Sequence, residues 1–145
     1  MAIHTICITG EPVLHRPSAP VGPITEELRA LVADMFETME AAPGVGLAAP
    51  QIGVPLRVFV WDIDDALGHL INPTLDLSDE MQEGEEGCLS FPDKTTYVPR
   101  RQIIRATWMD ETKKAHTDTL AMIYARCWLH EYDHLSGKCI FPRDK

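Results

Sequence analysis

One pentapeptide constrains this chain more than any other feature: His130-Glu131-Tyr132-Asp133-His134. Four residues of α-helix rotate about 400°, so the second imidazole returns to the face of the first and both can grip one metal ion. Glu131, one residue along, can lean over an open coordination position, where a general base is needed. With six histidines and eleven glutamates scattered at random over 145 residues, the pattern is expected roughly 0.02 times. The bland explanation, a solvated helical face with two ordinary histidines, falls once a third ligand is found.

The motif requires a helix near the end of the chain, predicted over residues 120–136 with Gly137 as its C-terminal cap. A first helix is predicted from Leu28, Leu31, Val32, Met35, Phe36 and Met39, one apolar stripe at helical period. Glu26 and Glu27 suit the positive end of its dipole, and Pro43-Gly44 stops it. Between the helices lie short β-like runs at 56–61, 70–72 and 102–109. The acidic stretch 79–86 reads as a solvated loop. Two helices with strands between them predict an α+β fold, and the length predicts one domain spanning 1–145.

Charge and cysteines exclude several functions. Thirteen Lys and Arg against 22 Asp and Glu give a net charge of −9, which argues against a phosphate-backbone binder. Met1-Ala2-Ile3-His4-Thr5-Ile6-Cys7 has no basic or strongly apolar leader, and Val58-Phe59-Val60-Trp61 is too short to span a bilayer. A cytoplasmic protein is expected, with Cys7, Cys88, Cys127 and Cys139 kept as thiols. Cys7 and Cys127 lie in apolar patterns and read as core thiols.

Other metalloenzymes with this helical motif take their third ligand from a downstream Glu or His. The eleven residues after His134 contain neither, and offer only Cys139 and Asp144. Cys139 follows Gly137, where the chain is expected to have turned away from the helix. The upstream side is the better source. Cys88 lies in Glu85-Glu86-Gly87-Cys88-Leu89-Ser90-Phe91-Pro92, a polar stretch where a purely structural cysteine gains little burial. A third segment, Gly44-Val45-Gly46-Leu47-Ala48-Ala49-Pro50-Gln51, combines glycines that permit close backbone approach with an uncharged amide donor. It matches no phosphate-binding pattern, and alone it would be a tight turn.

Together these segments resemble the peptide deformylase family, whose motifs read G-φ-G-φ-A-A-x-Q, E-G-C-L-S and H-E-x-D-H, with φ apolar. They occur in that order at residues 44–51, 86–90 and 130–134. Gly10-Glu11-Pro12-Val13-Leu14, Ile71-Asn72-Pro73 and Val98-Pro99-Arg100 extend the likeness over nearly the whole chain. The chain departs from the pattern at Leu129, where the family usually has Gln, and at Leu120-Ala121-Met122-Ile123, where a Gly commonly opens the last helix.

The resemblance implies small, mainly antiparallel sheets packed around a C-terminal motif helix. It implies a divalent metal held by Cys88, His130 and His134, with Glu131 as catalytic acid and base and Gln51 beside the substrate carbonyl. The metal would be Fe²⁺ in the cell, with Zn²⁺ or Ni²⁺ in purified samples, and it would bring a water toward a neutral pKa. The implied reaction is hydrolysis of the N-formyl group of a nascent peptide, with the oxyanion held by the metal, the Gln51 amide and the Leu89 N–H. Gly44, Val45 and Gly46 would floor the site and align the peptide, and Ile123, Arg126 and Cys127 would join Val45 around the methionine side chain. The expected partners are N-formylmethionyl peptides at the ribosome, with no nucleic acid, no membrane and no second copy of the chain. Two competing readings are a broader metallopeptidase with the same helix motif and a catalytically dead metal-binding module; neither needs Cys88 together with the segment 44–51.

Overall fold

The computed structural model describes residues 2–140. After a 3-10 turn at Pro12–His15, helix α1 (Glu26–Ala41) starts where Thr25 accepts a hydrogen bond from the Leu28 N–H, 3.2 Å, satisfying a donor that the first turn leaves open. Leu28, Val32, Met35 and Met39 of the predicted stripe are buried, while Leu31 and Phe36 pack at its margin.

Nine strands follow among the described residues: β1 (Gly46–Ala48), β2 (Val58–Ile63), β3 (Ala66–Leu77), β4 (Met81–Gln82), β5 (Glu85–Cys88), β6 (Phe91–Tyr97), β7 (Arg100–Arg101), β8 (Ile103–Met109) and β9 (Ala115–Ala121). A five-stranded antiparallel sheet has the order β1-β2-β3-β8-β9, and β4-β7 and β5-β6 form two small antiparallel pairs. Helix α2 (Ile123–Leu135) closes the described chain.

The large sheet is covered on both faces, which explains its unbroken apolar run. Side chains alternate along a strand, so Val58 and Val60 of β2 join the cluster against α1 while Phe59 and Ile63 join the cluster against α2. Trp128, 2% exposed, ties α2 to the sheet through ring contacts with Phe59, Trp61 and Trp108, centroids 5.2–6.0 Å apart. Leu129 adds to the same cluster. Gly137, φ +79°, ends the helix: the Gly137 N–H donates to His134 O and the Lys138 N–H to Asp133 O, the pairing expected of a left-handed cap.

Two sequence expectations need correction. The second helix begins at Ile123, not near residue 120, because Leu120 and Ala121 complete β9 and pair with Ile104 and Ile103. Residues 79–86 are not one solvated loop: they contain β4 and enter β5, whose alternation exposes Glu85 and buries Glu86. In each case strand pairing, a long-range interaction, overrides the local pattern. Cys7 is half-buried in the N-terminal segment rather than set in the core. Asp144 lies outside the described residues.

Candidate metal centre and active site

Helix α2 brings the two histidine rings together with centroids 5.0 Å apart. Strand β5 delivers Cys88 beside them, with Sγ 3.4 Å from His134 Nε2, and one ligand atom from each of the three residues lies within 4.8 Å of the others. A thiolate about 2.3 Å and an imidazole about 2.0 Å from a tetrahedral ion would stand about 3.5 Å apart, so this donor set fits a divalent metal. Among the described residues this is the one cluster of its kind.

The outer nitrogens of the two rings are held differently. His130 Nδ1 faces Glu86 Oε1 at 2.9 Å, which leaves Nε2 for the cluster. Glu86 is a four-donor hub: Arg100 grips it twice, at 2.8 and 2.9 Å, and Arg126 Nη1 reaches it at 2.6 Å. Arg100 also pairs with Asp133 on the motif helix. Burial raises the Glu86 pKa, but hydrogen bonds from Arg100 and His130 outweigh it and hold the carboxyl at about 2. Burial likewise opposes a charged His130, yet hydrogen bonds to Cys88 and Glu86 carry it up to about 10. Burial instead pushes the His134 pKa well down and favours its neutral ring.

His134 Nδ1 has Cys139 Sγ at 3.8 Å. Here the sequence expectation fails in part, since the left-handed turn at Gly137 brings Cys139 back behind the ring instead of leading it away. Its Sγ stands by Nδ1, whereas Cys88 Sγ stands by Nε2 of the same ring.

Glu131 is 4% exposed, and burial pushes its pKa up to about 7. Its Oε1 is buried without a hydrogen-bond partner among the described residues. The glycines of the 44–51 segment make room for it and its neighbour: a Cβ on Gly46 would sit 2.5 Å from Glu131 Oε2, and one on Gly44 would sit 2.7 Å from Leu89 Cδ1. The sequence suggested close approach to a ligand, whereas the structure shows close approach to the Glu131 carboxylate. Gln51, 1% exposed, accepts from the Ala48 N–H at 2.9 Å and aims its Nε2 at Ser90 Oγ, 3.1 Å, and Cys88 Sγ, 3.9 Å. Leu89 occupies the turn joining β5 to β6.

A cavity of about 780 Å³ opens over these groups, and every predicted site residue except His134 lines it. Val45 and Ile123 are exposed at its mouth. Arg126 reaches the wall, but its guanidinium donates to Glu86 and to the Val98 carbonyl at 2.9 Å. The Cys127 thiol, whose pKa burial raises, contacts the Val45 carbonyl at 3.5 Å. Glu86, Arg100, Asp133 and Ser90 received no role from the sequence; the only signal was their place inside the quoted segments, Glu86, Ser90 and Asp133 in the three motifs and Arg100 at the end of Val98-Pro99-Arg100.

The polypeptide deformylase family model matches residues 3–144. The chain belongs to the polypeptide deformylase family. It is a hydrolase that removes the N-formyl group from the N-terminal methionine of nascent polypeptides, releasing formate. It is 48% identical over 143 residues to a peptide deformylase of Acidothermus cellulolyticus, covering 99% of this chain and 79% of the relative. A Clostridium botulinum relative is 42% identical, with 99% and 97% covered. The crystal structure of the Thermotoga maritima peptide deformylase superposes with a TM-score of 0.93 at 36% identity, covering 95% of both chains. These likenesses support deformylation and not the broader metallopeptidase. The family is metal-dependent.

Proposed function

We propose that Cys88 Sγ and the Nε2 atoms of His130 and His134 hold the metal on which deformylation depends, and that residues 1–145 act as one catalytic unit. The observation that carries this reading is the convergence of one ligand atom each from Cys88, His130 and His134, with Cys88 and His130 lining the same cavity as Glu131. A bound divalent ion supplies Lewis acidity and a water of near-neutral pKa.

The chain's own residues do the rest. Glu131, enclosed and carrying a pKa near 7, takes a proton from the attacking water and passes it to the departing amine. The Gln51 Nε2–H and the Leu89 N–H donate to the formyl oxygen as charge develops on it. The close quarters where Leu89 and Glu131 crowd against Gly44 and Gly46 admit a carbonyl carbon bearing only hydrogen and exclude larger acyl groups. Val45 aligns the peptide backbone, and Ile123, Cys127 and the flank of Arg126 surround the methionine side chain.

The ligand set of one thiolate and two imidazoles suits iron or zinc; we assign Fe²⁺ in the cell and Zn²⁺ or Ni²⁺ after aerobic purification. The enzyme works as a monomer in the cytoplasm on chains emerging from the ribosome. No helix among the described residues is long and apolar enough to cross a membrane. The test is anaerobic purification with metal analysis and a formate assay on formyl-Met-peptides. One metal per chain with formate release and no internal cleavage supports the assignment; formate release from protein carrying no metal overturns it.

A further inference from the structure

We infer that Ser90 is a positioning residue that fixes the plane of the Gln51 carboxamide, so that one Gln51 N–H stays aimed at the reacting carbonyl. The inference rests on the assignment of Gln51 as an oxyanion donor. The terminal torsion of a glutamine is broad, so the direction of its two N–H bonds must be imposed from outside. Two buried contacts impose it. The Ala48 N–H donates to Oε1 at 2.9 Å, which decides which end of the amide is oxygen. Ser90 Oγ accepts from Nε2 at 3.1 Å, which takes up one N–H and leaves the other directed toward Cys88 Sγ, 3.9 Å away.

Ser90 is suited to the task by its surroundings. Its side chain is fully buried, with 0% of the residue exposed, so no water competes for the Gln51 N–H. It directly follows Leu89, whose N–H is the second oxyanion donor, and the two form one turn. The N-terminal segment then stitches the pair together. The Cys7 N–H donates to the Gln51 carbonyl and the Thr9 N–H to the Ser90 carbonyl, both at 2.7 Å. Residues 7 and 9 of the N-terminal segment thus hold the backbone of each partner.

The test is kcat and KM on formyl-Met-peptide, per bound metal, for the native enzyme, Ser90→Ala, Gln51→Ala and the double variant. Loss of one buried hydrogen bond predicts a kcat about tenfold lower in Ser90→Ala with KM within about twofold, and a double variant no slower than Gln51→Ala. A lowered thermal midpoint with native kcat in Ser90→Ala overturns the inference, as do losses that multiply in the double variant. If Gln51→Ala itself keeps native kcat, the oxyanion assignment falls and this inference with it. A readout independent of turnover is the Gln51 side-chain amide in ¹⁵N–¹H spectra, identified by its loss in Gln51→Ala. One slowly exchanging proton in the native protein, lost in Ser90→Ala, is expected; two fast protons in the native protein would refute the contact. Ser90→Cys, similar in size and a weaker acceptor, serves the same comparisons if Ser90→Ala does not fold.

Discussion

Gly46 and Glu131 depend on each other at the level of single atoms. The space a Cβ would need at Gly46 is taken by the Glu131 carboxylate, 2.5 Å away, and Glu131 is too enclosed to retreat. Gly46→Ala should therefore displace the carboxylate, and a misplacement near 1 Å costs roughly 10²-fold in kcat; metal analysis beside the formate assay should find the ion retained. On the roles proposed above, Glu131→Ala removes the proton carrier and spares the three proposed ligands, so metal should stay while kcat falls by roughly 10²- to 10⁴-fold. Near-native turnover in that variant would end the acid and base role. The sequence suggested the pairing of a glycine segment with a motif helix only through family likeness, because no local pattern tells that residue 46 lies against residue 131.

At the scale of elements, helix α2 begins under strain. Met122, its N-cap, has φ +55° and ψ −118°, a conformation natural to glycine and poor for any residue with a Cβ. It stands within the stretch where the family pattern commonly has Gly. The Met122 N–H donates to the Gln102 carbonyl, and its own carbonyl accepts from Gln82 Nε2 at 2.8 Å; these bonds hold the junction between β9 and α2 in place. Met122→Gly relieves about 1–3 kcal/mol of strain and loses about 0.4–1 kcal/mol through the freer unfolded chain. A net gain of about 1 kcal/mol, a few degrees in thermal midpoint, should appear in calorimetry, and a lowered midpoint would contradict the strain. The predicted start of this helix was early because Leu120 and Ala121 satisfy a helical pattern locally, while their partners in β8 are more than ten residues away.

Over the whole molecule, the proposed metal site would join α2 to the small β5-β6 pair. An ion bound only by the folded state stabilises it by about 2.7 kcal/mol at a hundredfold excess over its dissociation constant. Chelation should thus lower the thermal midpoint, and re-addition of Zn²⁺ or Fe²⁺ should restore it; a midpoint indifferent to metal would mean that Cys88 and the histidines are not cross-linked by it. Cys88→Ala should abolish metal binding. Cys139→Ala should retain the ion with an affinity weaker by about tenfold at most, since Cys139 stands behind His134 and sulfur is a weak hydrogen-bond partner. Competition with a chromogenic chelator measures both, and loss of the ion in Cys139→Ala alone would reverse the roles of the two cysteines.

Helical period by itself determined that His130 and His134 share a face and that Leu28, Val32, Met35 and Met39 form one buried stripe, because both depend on residues three or four apart. The apolar run through Val58 and Phe59 likewise marked a strand, while its burial on both faces, under α1 and under α2, came from the tertiary structure. The sequence alone could point upstream for a third ligand, but it could not bring Cys88 within 3.4 Å of His134, 46 residues away. Only tertiary structure made Glu86 a buried hub for Arg100, Arg126 and His130, although it sits in an acidic stretch whose composition suggests solvent. A carboxylate is solvated or buried according to the cations that surround it, and those cations arrive from β7 and α2. Period and composition record what neighbours in the chain share, whereas electrostatic satisfaction is decided by neighbours in space.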